Sequence, residues 1–211
     1  MRVIAGKYKS RTVKSLRGQA LRPTSDRLRE TLFNILGTDV EGGLFVDLYA
    51  GTGAVGIEAL SRGAHEVVFI EKHAAAVQLI RANLRALGVA EGFQILAKDA
   101  IRGLELLENS QHWRWAQSRC VGTPLRESAI AQFFFLDPPY AQAEEYERVL
   151  KFLDHSPLLT TESCVIAEHP KRHALPAKIG RLERTRMVTQ GDATLSFYLP
   201  KKSMKRENPR L

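Results

Sequence analysis

The stretch DLYAGTGAVG, residues 47–56, decides the fold of this chain. It continues an apolar run at 44–49, which is typical of a buried parallel strand, and it leads into a predicted helix that Gly63 ends. A GxGxxG turn that lies between a strand and a helix is typical of sites that bind a nucleotide-type ligand. We therefore predict a first binding site at this turn, although any βαβ unit needs small residues there for packing alone.

Three carboxylates around this turn indicate the chemistry of the ligand. Glu71 follows Gly51 by 20 residues, at the tip of the next strand, where a carboxylate can accept hydrogen bonds from both hydroxyls of a ribose. Asp99 ends the third strand, where it could bind an adenine amino group. Asp47 lies beside the turn, where it is a poor neighbour for a pyrophosphate and a good one for an ammonium group. S-adenosylmethionine carries a ribose, an adenine, an ammonium group and no phosphate, so the three acids favour it over a dinucleotide.

A second site is predicted where an apolar strand at 133–136 runs into the sequence DPPY. The two prolines fix φ and remove two backbone donors, which leaves a stiff turn with a carboxylate, carbonyl oxygens and an aromatic face. Asp137 and the carbonyl of Pro138 can accept hydrogen bonds from an exocyclic amino group, and Tyr140, which follows Pro139, can stack on the base that carries it. The alternative is a rigid strand-to-helix turn with a capping aspartate and a packed tyrosine.

Strands and helices alternate along the chain, which predicts an α/β fold with parallel strands and right-handed crossovers. A first helix, capped by Thr24 or Ser25, is predicted to run to Leu36 and to end at Gly37. The other predicted helices run from the glycine turn to Arg62, from about Val77 to Leu87, from about Ile101 to Leu107 and over 144–153. Strands are predicted at 44–49, 67–70, 93–96, 133–136, 164–168, 183–189 and 194–199, preceded by a short strand pair within 2–16 that has little apolar face.

The basic residues concentrate at the two ends of the chain. The 211 residues carry a net charge of +8, with +7 on residues 1–30, +4 on residues 198–211 and −3 between them. A polyanion such as nucleic acid would explain this polarity, and a solubilising surface is the alternative. The residues predicted to contact such a nucleic acid are Lys7, Lys9, Arg11, Arg22 and Arg27.

The composition excludes several classes of protein. Two cysteines, Cys120 and Cys164, cannot form a disulfide framework or a four-cysteine zinc site, and they are expected to be inert thiols. The histidines show no metal-ligand spacing, so no metal site is predicted. No apolar run approaches the roughly 18 residues that cross a bilayer, so a cytoplasmic protein without membrane contact is expected. The sequence does not indicate the oligomeric state, and a monomer is the default expectation.

Several motifs together resemble the bacterial methyltransferases that modify a guanine N-2 amino group in 16S ribosomal RNA. The resemblance covers roughly residues 1–108 and 133–200. It is carried by MRVIAGKYKSR, LRPTSDRLRETLFNIL, DLYAGTGAVGIEALSRGA, VVFIEK, KDA, FLDPPY and GDATLSFY. DPPY alone is shared with amino-methylating DNA enzymes, and the two opening motifs narrow the resemblance to the ribosomal RNA enzymes.

The resemblance implies a Rossmann-like, doubly wound, mostly parallel sheet of about seven strands with the last one reversed, the class I methyltransferase fold. Asp47, Gly51 and Gly53 would hold the methionine part of S-adenosylmethionine, Glu71 the ribose, and Asp99 with Ala100 the adenine. The DPPY residues, Asp137, Pro138, Pro139 and Tyr140, would hold the target base and act in catalysis. The implied substrate is 16S ribosomal RNA or an assembling small ribosomal subunit, methylated at guanine 966.

The chain divides into a basic N-terminal extension at 1–20, a methyltransferase domain at 21–200 and a basic tail at 201–211. It departs from the family at 109–132, where a connection that contains Trp113 and Trp115 is longer than expected. This connection is interpreted as a surface loop whose tryptophans pack on the domain, with an added RNA or protein contact as the alternative.

Three other functions stay open at this stage. A DNA adenine-amino methyltransferase would use the same DPPY turn, but 211 residues leave little room for a separate target-recognition domain. An RNA-binding assembly factor without activity would not need the cofactor-site acids and glycines and the DPPY turn, all of which this sequence has. A nicotinamide dehydrogenase would leave DPPY unexplained. Methyl transfer by direct displacement, without a metal or a covalent intermediate, is the expected reaction.

Overall fold

The computed structural model describes residues 1–15, 25–110 and 132–201. Its α-helices are α1 (Asp26–Leu36), α2 (Ala54–Ser61), α3 (Ala74–Leu87), α4 (Ala100–Glu108) and α5 (Glu144–His155), with a 3-10 helix at Gly37–Val40. Its strands are β1 (Leu44–Leu48), β2 (Glu66–Ile70), β3 (Phe93–Leu96), β4 (Gln132–Leu136), β5 (Ser163–Pro170), β6 (Lys178–Ile179), β7 (Leu182–Gln190) and β8 (Ala193–Pro200). Each predicted helix and strand from residue 24 onward is present, with bounds shifted by a few residues.

The strands of the described residues form one sheet in the order β3-β2-β1-β4-β5-β8-β7-β6. Strands β1 to β5 are parallel, and β8 lies antiparallel to β5. The predicted doubly wound, mostly parallel sheet with a reversed last strand is therefore confirmed. The described sheet has eight strands where about seven were expected, because the short β6 pairs with β7 through Lys178 and Glu183.

Apolar layers cover both faces of the sheet. Phe45 on β1 faces a layer with α1, α2 and α3, and the neighbouring Val46 faces a layer with α4 and α5. This alternation follows from the two-residue period of a strand. Because helices cover both faces, β1, β2 and β4 are buried throughout and consist mostly of apolar residues, as the sequence pattern indicated.

The helix α1 begins and ends at residues that the sequence marks as helix boundaries. The Ser25 hydroxyl accepts a hydrogen bond from the Leu28 amide at 3.1 Å and so caps α1. Gly37 ends the helix with a positive φ of 58°, which favours glycine. Both ends were predicted from these residue types.

The N-terminal segment, residues 1–15, differs from its prediction. The expected strand pair is reduced to an antiparallel bridge between Arg2 and Thr12. The expectation of little apolar face was wrong, because Val3 and Val13 are 2% and 3% exposed and belong to the core beside α1. This segment is docked on the domain, and its basic side chains extend from a fixed backbone.

Candidate active site

The topology brings the two predicted sites together at one edge of the sheet. Strands β1 and β4 are neighbours, and Leu48 is paired in register with Leu136. The glycine turn at 49–53 and the DPPY turn at 137–140 therefore leave the sheet side by side. This is the carboxyl edge, where open α/β sheets bind their ligands.

The glycines of the first turn are required by its backbone and its packing. Gly51 and Gly53 have φ of 54° and 77°, a region that side chains rarely adopt. A Cβ on Gly56 would stand 2.3 Å from a ring carbon of Phe69, so a glycine there lets α2 pack against β2. These are the roles that the spacing of a GxGxxG turn predicts.

Asp47 is a buried acid at the foot of this turn. Its Oδ2 accepts a hydrogen bond from the Gly56 amide at 2.9 Å, and the residue is 2% exposed. Burial raises the pKa of Asp47 to about 7, against the lowering effect of the Gly56 hydrogen bond, and the negative charge of Glu71 raises it further. A cation beside these two carboxylates would stabilise the ionised form of Asp47.

Glu71 ties the glycine turn to the end of β2. Its Oε2 accepts a hydrogen bond from the Gly51 amide at 2.9 Å, and its Oε1 accepts one from the His73 amide at 2.7 Å. The residue is 6% exposed. A carboxylate oxygen has two lone pairs, so Glu71 can accept further hydrogen bonds from a ligand. Its role toward a ribose stays a prediction.

Asp99 lies at the start of α4, at the same edge of the sheet. Its side chain is exposed and accepts a hydrogen bond from the Arg102 amide at 3.1 Å, which makes Asp99 the N-cap of this helix. Ala100 is buried behind it. The adenine contact assigned to these two residues stays a prediction.

The DPPY turn is rigid and partly accessible. Pro138 is buried, Asp137 and Pro139 are half-buried, and Tyr140 is 40% exposed. The Pro139 carbonyl accepts a hydrogen bond from the Gln142 amide at 2.8 Å, which closes the turn before α5. The ring of Tyr140 is therefore accessible from outside the fold, and its stacking on a base stays a prediction.

An aromatic cluster packs behind the DPPY turn. The Tyr146 hydroxyl donates to the Glu168 carbonyl at 2.7 Å, and the rings of Tyr146 and His173 are stacked with centroids 5.5 Å apart. His169 is 2% exposed, its Nε2 lies 2.9 Å from the Ser196 hydroxyl, and burial lowers its pKa. These contacts favour a structural role for His169.

Two polar contacts of the site region were not predicted from the sequence. The Tyr49 hydroxyl donates to Glu145 at 2.7 Å, from the glycine turn to α5. Glu58 on α2 is fully buried and accepts hydrogen bonds from the Ile4 and Ala5 amides at 2.8 and 3.0 Å, so it holds the N-terminal segment on α2. A buried acid inside a helix has no distinct signal in one sequence.

The structure brings together some of the predicted RNA-binding residues. A hollow of about 480 Å³ between the N-terminal segment and α1 is lined by Arg2, Lys9 and Arg27, and also by the acids Asp26 and Glu30. Its basic side chains include two of the predicted residues.

The other predicted RNA-binding residues lie apart from this hollow or outside the described chain. Lys7 is exposed and lies 5.4 Å from the centre of the Tyr8 ring. Arg11 donates to the Ala86 carbonyl at 2.7 Å, so its guanidinium holds the segment on the end of α3. Arg22 lies outside the described residues.

Other predictions concern cysteines, metals and membranes. Burial raises the pKa of the Cys164 thiol to about 12, which keeps it protonated, whereas Cys120 and most of the 109–132 connection lie outside the described residues. Across residues 1–15, 25–110 and 132–201, no three potential metal ligands converge. Within the same ranges, no helix is long and apolar enough to span a bilayer.

Comparison with known proteins identifies the family. The family described as Conserved hypothetical protein 95 matches residues 1–199. The chain belongs to this family. Its sequence resemblance to the 16S ribosomal RNA methyltransferases is thereby confirmed.

Similar members of the family carry methyltransferase names. Ribosomal RNA small subunit methyltransferase D of Escherichia coli K12 is 31% identical over 198 residues, which cover 94% of this chain and 89% of that protein. A Bacillus subtilis protein, YlbH, named provisionally as an rRNA methyltransferase, is 33% identical over 198 residues, which cover 94% of this chain and 98% of that protein.

Solved structures share the fold. A structure from Escherichia coli described provisionally as the methyltransferase yhhF has a TM-score of 0.72 at 27% identity and covers 95% of this chain and 98% of its own. An RNA methyltransferase from Salinibacter ruber, solved with S-adenosyl-L-homocysteine, has a TM-score of 0.54 at 16% identity, with 88% and 97% covered. The predicted class I methyltransferase fold is confirmed.

Proposed function

We propose that this member of the family transfers a methyl group from S-adenosylmethionine to the N-2 amino group of a guanine in 16S ribosomal RNA. Methylation of ribosomal RNA is the activity named for its relatives at 31% and 33% identity. The observation that carries the finer proposal is the pairing of Leu48 with Leu136, which sets the glycine turn beside the DPPY turn. A methyl donor on the first turn and an amino-bearing base on the second would then be neighbours.

S-adenosylmethionine is the cofactor of this enzyme, as expected from the sequence. When bound, it supplies an electrophilic methyl group on a sulfonium. The residues present fit its charge, because Asp47 and Glu71 are two buried carboxylates close enough for one to raise the pKa of the other. Asp47 would hold the ammonium group near Gly51 and Gly53, and Glu71 would hold the ribose.

The DPPY turn would activate the target amino group. The lone pair of a guanine amino nitrogen is delocalised into the ring, so the nitrogen is a weak nucleophile. Hydrogen bonds from its two N–H groups to Asp137 and the Pro138 carbonyl would favour a pyramidal nitrogen with its lone pair toward the glycine turn. Tyr140 would stack on the ring and fix its plane. Since the leaving group is good, positioning supplies most of the catalysis.

The target base would have to leave its stack to reach this turn. Lys7 and Lys9 on the N-terminal segment, and Arg27 on α1, would hold the RNA backbone through phosphate contacts. The docking of Val3 and Val13 in the core keeps the backbone of these lysines in a defined place relative to α1. The proposed target, guanine 966, rests on the family resemblance, and an RNA substrate would place the enzyme in the cytoplasm, where ribosomes are assembled.

Transfer of tritium from labelled S-adenosylmethionine tests this proposal against its alternatives. Purified protein is incubated with 16S ribosomal RNA, with small subunits that lack the modification, and with duplex DNA rich in adenine. We expect label in RNA or subunits and none in DNA. Label confined to DNA would indicate the adenine-amino alternative. RNA binding without label in any substrate would indicate an inactive assembly factor.

A further inference from the structure

A side-chain hydrogen bond joins the glycine turn to α5, the helix that follows the DPPY turn. The Tyr49 hydroxyl donates to Glu145 Oε2 at 2.7 Å. Tyr49 belongs to the glycine turn, two residues before Gly51, and Glu145 lies in the first turn of α5, five residues after Tyr140. This bond therefore runs from the segment assigned to the cofactor to the helix that directly follows the segment assigned to the target base.

The backbone fixes the direction in which Tyr49 extends. Its φ of 65° lies in the left-handed region, which is uncommon for a residue other than glycine. The next residue, Ala50, donates its amide to the Ile70 carbonyl at 3.0 Å and accepts a hydrogen bond from the Gly53 amide at 2.7 Å. Unfavourable backbone conformations of this kind persist where the surrounding contacts enforce them, and they concentrate at functional sites.

The other end of the bond is also held. The Glu145 side chain is 16% exposed, and its second oxygen accepts a hydrogen bond from Arg148 at 3.0 Å. Burial, and then the hydrogen bond and charge of Glu145, raise the pKa of the Tyr49 phenol, so the hydroxyl stays protonated and keeps donating. A hydrogen bond from a hydroxyl to a carboxylate is among the stronger ones in proteins.

We propose that Tyr49 and Glu145 are positioning residues that set the separation between the cofactor turn and the base turn during methyl transfer. This proposal rests on the proposed function. Neither residue needs to touch a reacting atom, because the bond acts on the segment that carries Gly51 and on the helix that begins four residues after Tyr140. A displacement of about 1 Å at a reacting centre can lower the rate about a hundredfold. The Tyr49–Glu145 hydrogen bond can therefore affect the rate of methyl transfer by fixing where the two turns lie.

Removal of the Tyr49 hydroxyl oxygen tests whether the Tyr49–Glu145 hydrogen bond has this role. Tyr49→Phe keeps the ring and its packing, and we expect it to lower kcat for RNA methylation by about tenfold. The dissociation constant for S-adenosylmethionine should change by less than about threefold, because Asp47 and Glu71 are untouched. Glu145→Ala should match Tyr49→Phe, whereas Glu145→Gln, which keeps an oxygen acceptor, should restore most of the rate.

A double variant separates a shared contact from two independent effects. Tyr49→Phe combined with Glu145→Ala should be no slower than either single variant, because both remove the same bond. The matched control is Tyr198→Phe, which removes a hydroxyl that donates to the Pro176 carbonyl at 2.8 Å and should keep the wild-type kcat.

Three outcomes would overturn the proposal. These are a wild-type kcat in Tyr49→Phe, rate losses that multiply in the double variant, and a fall in cofactor affinity as large as the fall in kcat. Failure of the proposed function gives a different result, since the wild-type protein itself would then transfer no methyl group to RNA.

Discussion

Asp47 Oδ2 accepts a hydrogen bond from the Gly56 amide at 2.9 Å, from the end of β1 to the first turn of α2. This contact fixes the glycine turn between two elements, and it holds a carboxylate where water barely reaches it. Burial, and to a smaller extent the charge of Glu71, disfavour the ionised carboxylate and raise the pKa of Asp47 to about 7. A cation beside Asp47 would stabilise its ionised form, and we propose that the ammonium group of the cofactor is this cation.

Asp47→Asn should stabilise the protein without cofactor at pH 8. Because the pKa is raised in the folded state, the folded protein binds a proton more tightly than the unfolded chain, and stability falls as pH rises from about 4 to about 7. The shift of about 3 pH units corresponds to about 4 kcal/mol at most. The variant lacks this titration, so its advantage over wild type should be largest at pH 8 and should shrink toward pH 5.

Thermal unfolding of both proteins at the two pH values checks this prediction. Calorimetry with S-adenosylmethionine should show weaker binding by Asp47→Asn, since the partner of the ammonium group has lost its charge. An equal difference in Tm at pH 5 and pH 8 would contradict the titration of Asp47 in this range.

Glu71→Ala should weaken S-adenosylmethionine binding by about 1–3 kcal/mol, through the loss of charge-assisted hydrogen bonds to ribose. The variant also frees the Gly51 and His73 amides, so part of the loss would come from the turn itself. Glu71→Gln is the matched control, because it keeps acceptor capacity without the charge, and it should bind with intermediate affinity. Unchanged affinity of Glu71→Ala in a calorimetric titration would remove Glu71 from the cofactor site.

Asp137→Ala should lose most methyl transfer and keep its affinity for the cofactor, because the assigned role of Asp137 is toward the base. Rapid-quench measurement of a single turnover, with cofactor affinity measured in parallel, checks both parts. Asp137→Asn retains an oxygen acceptor and should keep more activity than the alanine variant. Turnover of Asp137→Ala near the wild-type rate would show that the DPPY turn does not have the assigned role.

Lys7→Gln combined with Lys9→Gln should weaken RNA binding and reduce its salt dependence. Each contact with a phosphate of single-stranded RNA adds about 0.7 to the slope of log affinity against log salt, so the loss of two contacts should lower the slope by about 1.4. Arg11 is left unchanged, because its guanidinium also holds the segment on the Ala86 carbonyl. Lys151→Gln with Lys178→Gln removes the same charge from exposed, ion-paired sites and is the control.

Binding at several salt concentrations decides whether the N-terminal lysines contact RNA. The control variant should keep the wild-type slope, and cofactor binding should be intact in both variants. If the Lys7 and Lys9 variant also keeps the wild-type slope, the RNA lies elsewhere on the protein.

The sequence predicts those parts of the fold that depend on local patterns. Buried strands such as β4 contain runs of consecutive apolar residues, and helices such as α3 end at a glycine, here Gly88 with φ of 74°. The place of the site follows too, because parallel strands carry their final residues to one edge. Asp47 and Glu71 lie close together for this reason, although 24 residues separate them.

Contacts between distant segments could not be predicted, because no local pattern encodes them. Tyr49 and Glu145 are 96 residues apart, and each is an ordinary residue in its own turn or helix. Glu58 has the sequence context of an exposed helical acid, yet the N-terminal segment folds over it and buries it. Val3 and Val13 had the same ambiguity, since two valines among lysines and arginines do not show which side of a segment meets a core.

The nucleoside that receives the methyl group tests the central claim most directly. Small subunits that lack the modification are incubated with the protein and S-adenosylmethionine, and their RNA is digested to nucleosides and separated by chromatography with mass detection. Our account predicts that 2-methylguanosine appears with wild-type protein and is lost with Asp137→Ala. A methyl group on adenine or on a guanine ring nitrogen, or no methylated nucleoside at all, would contradict it.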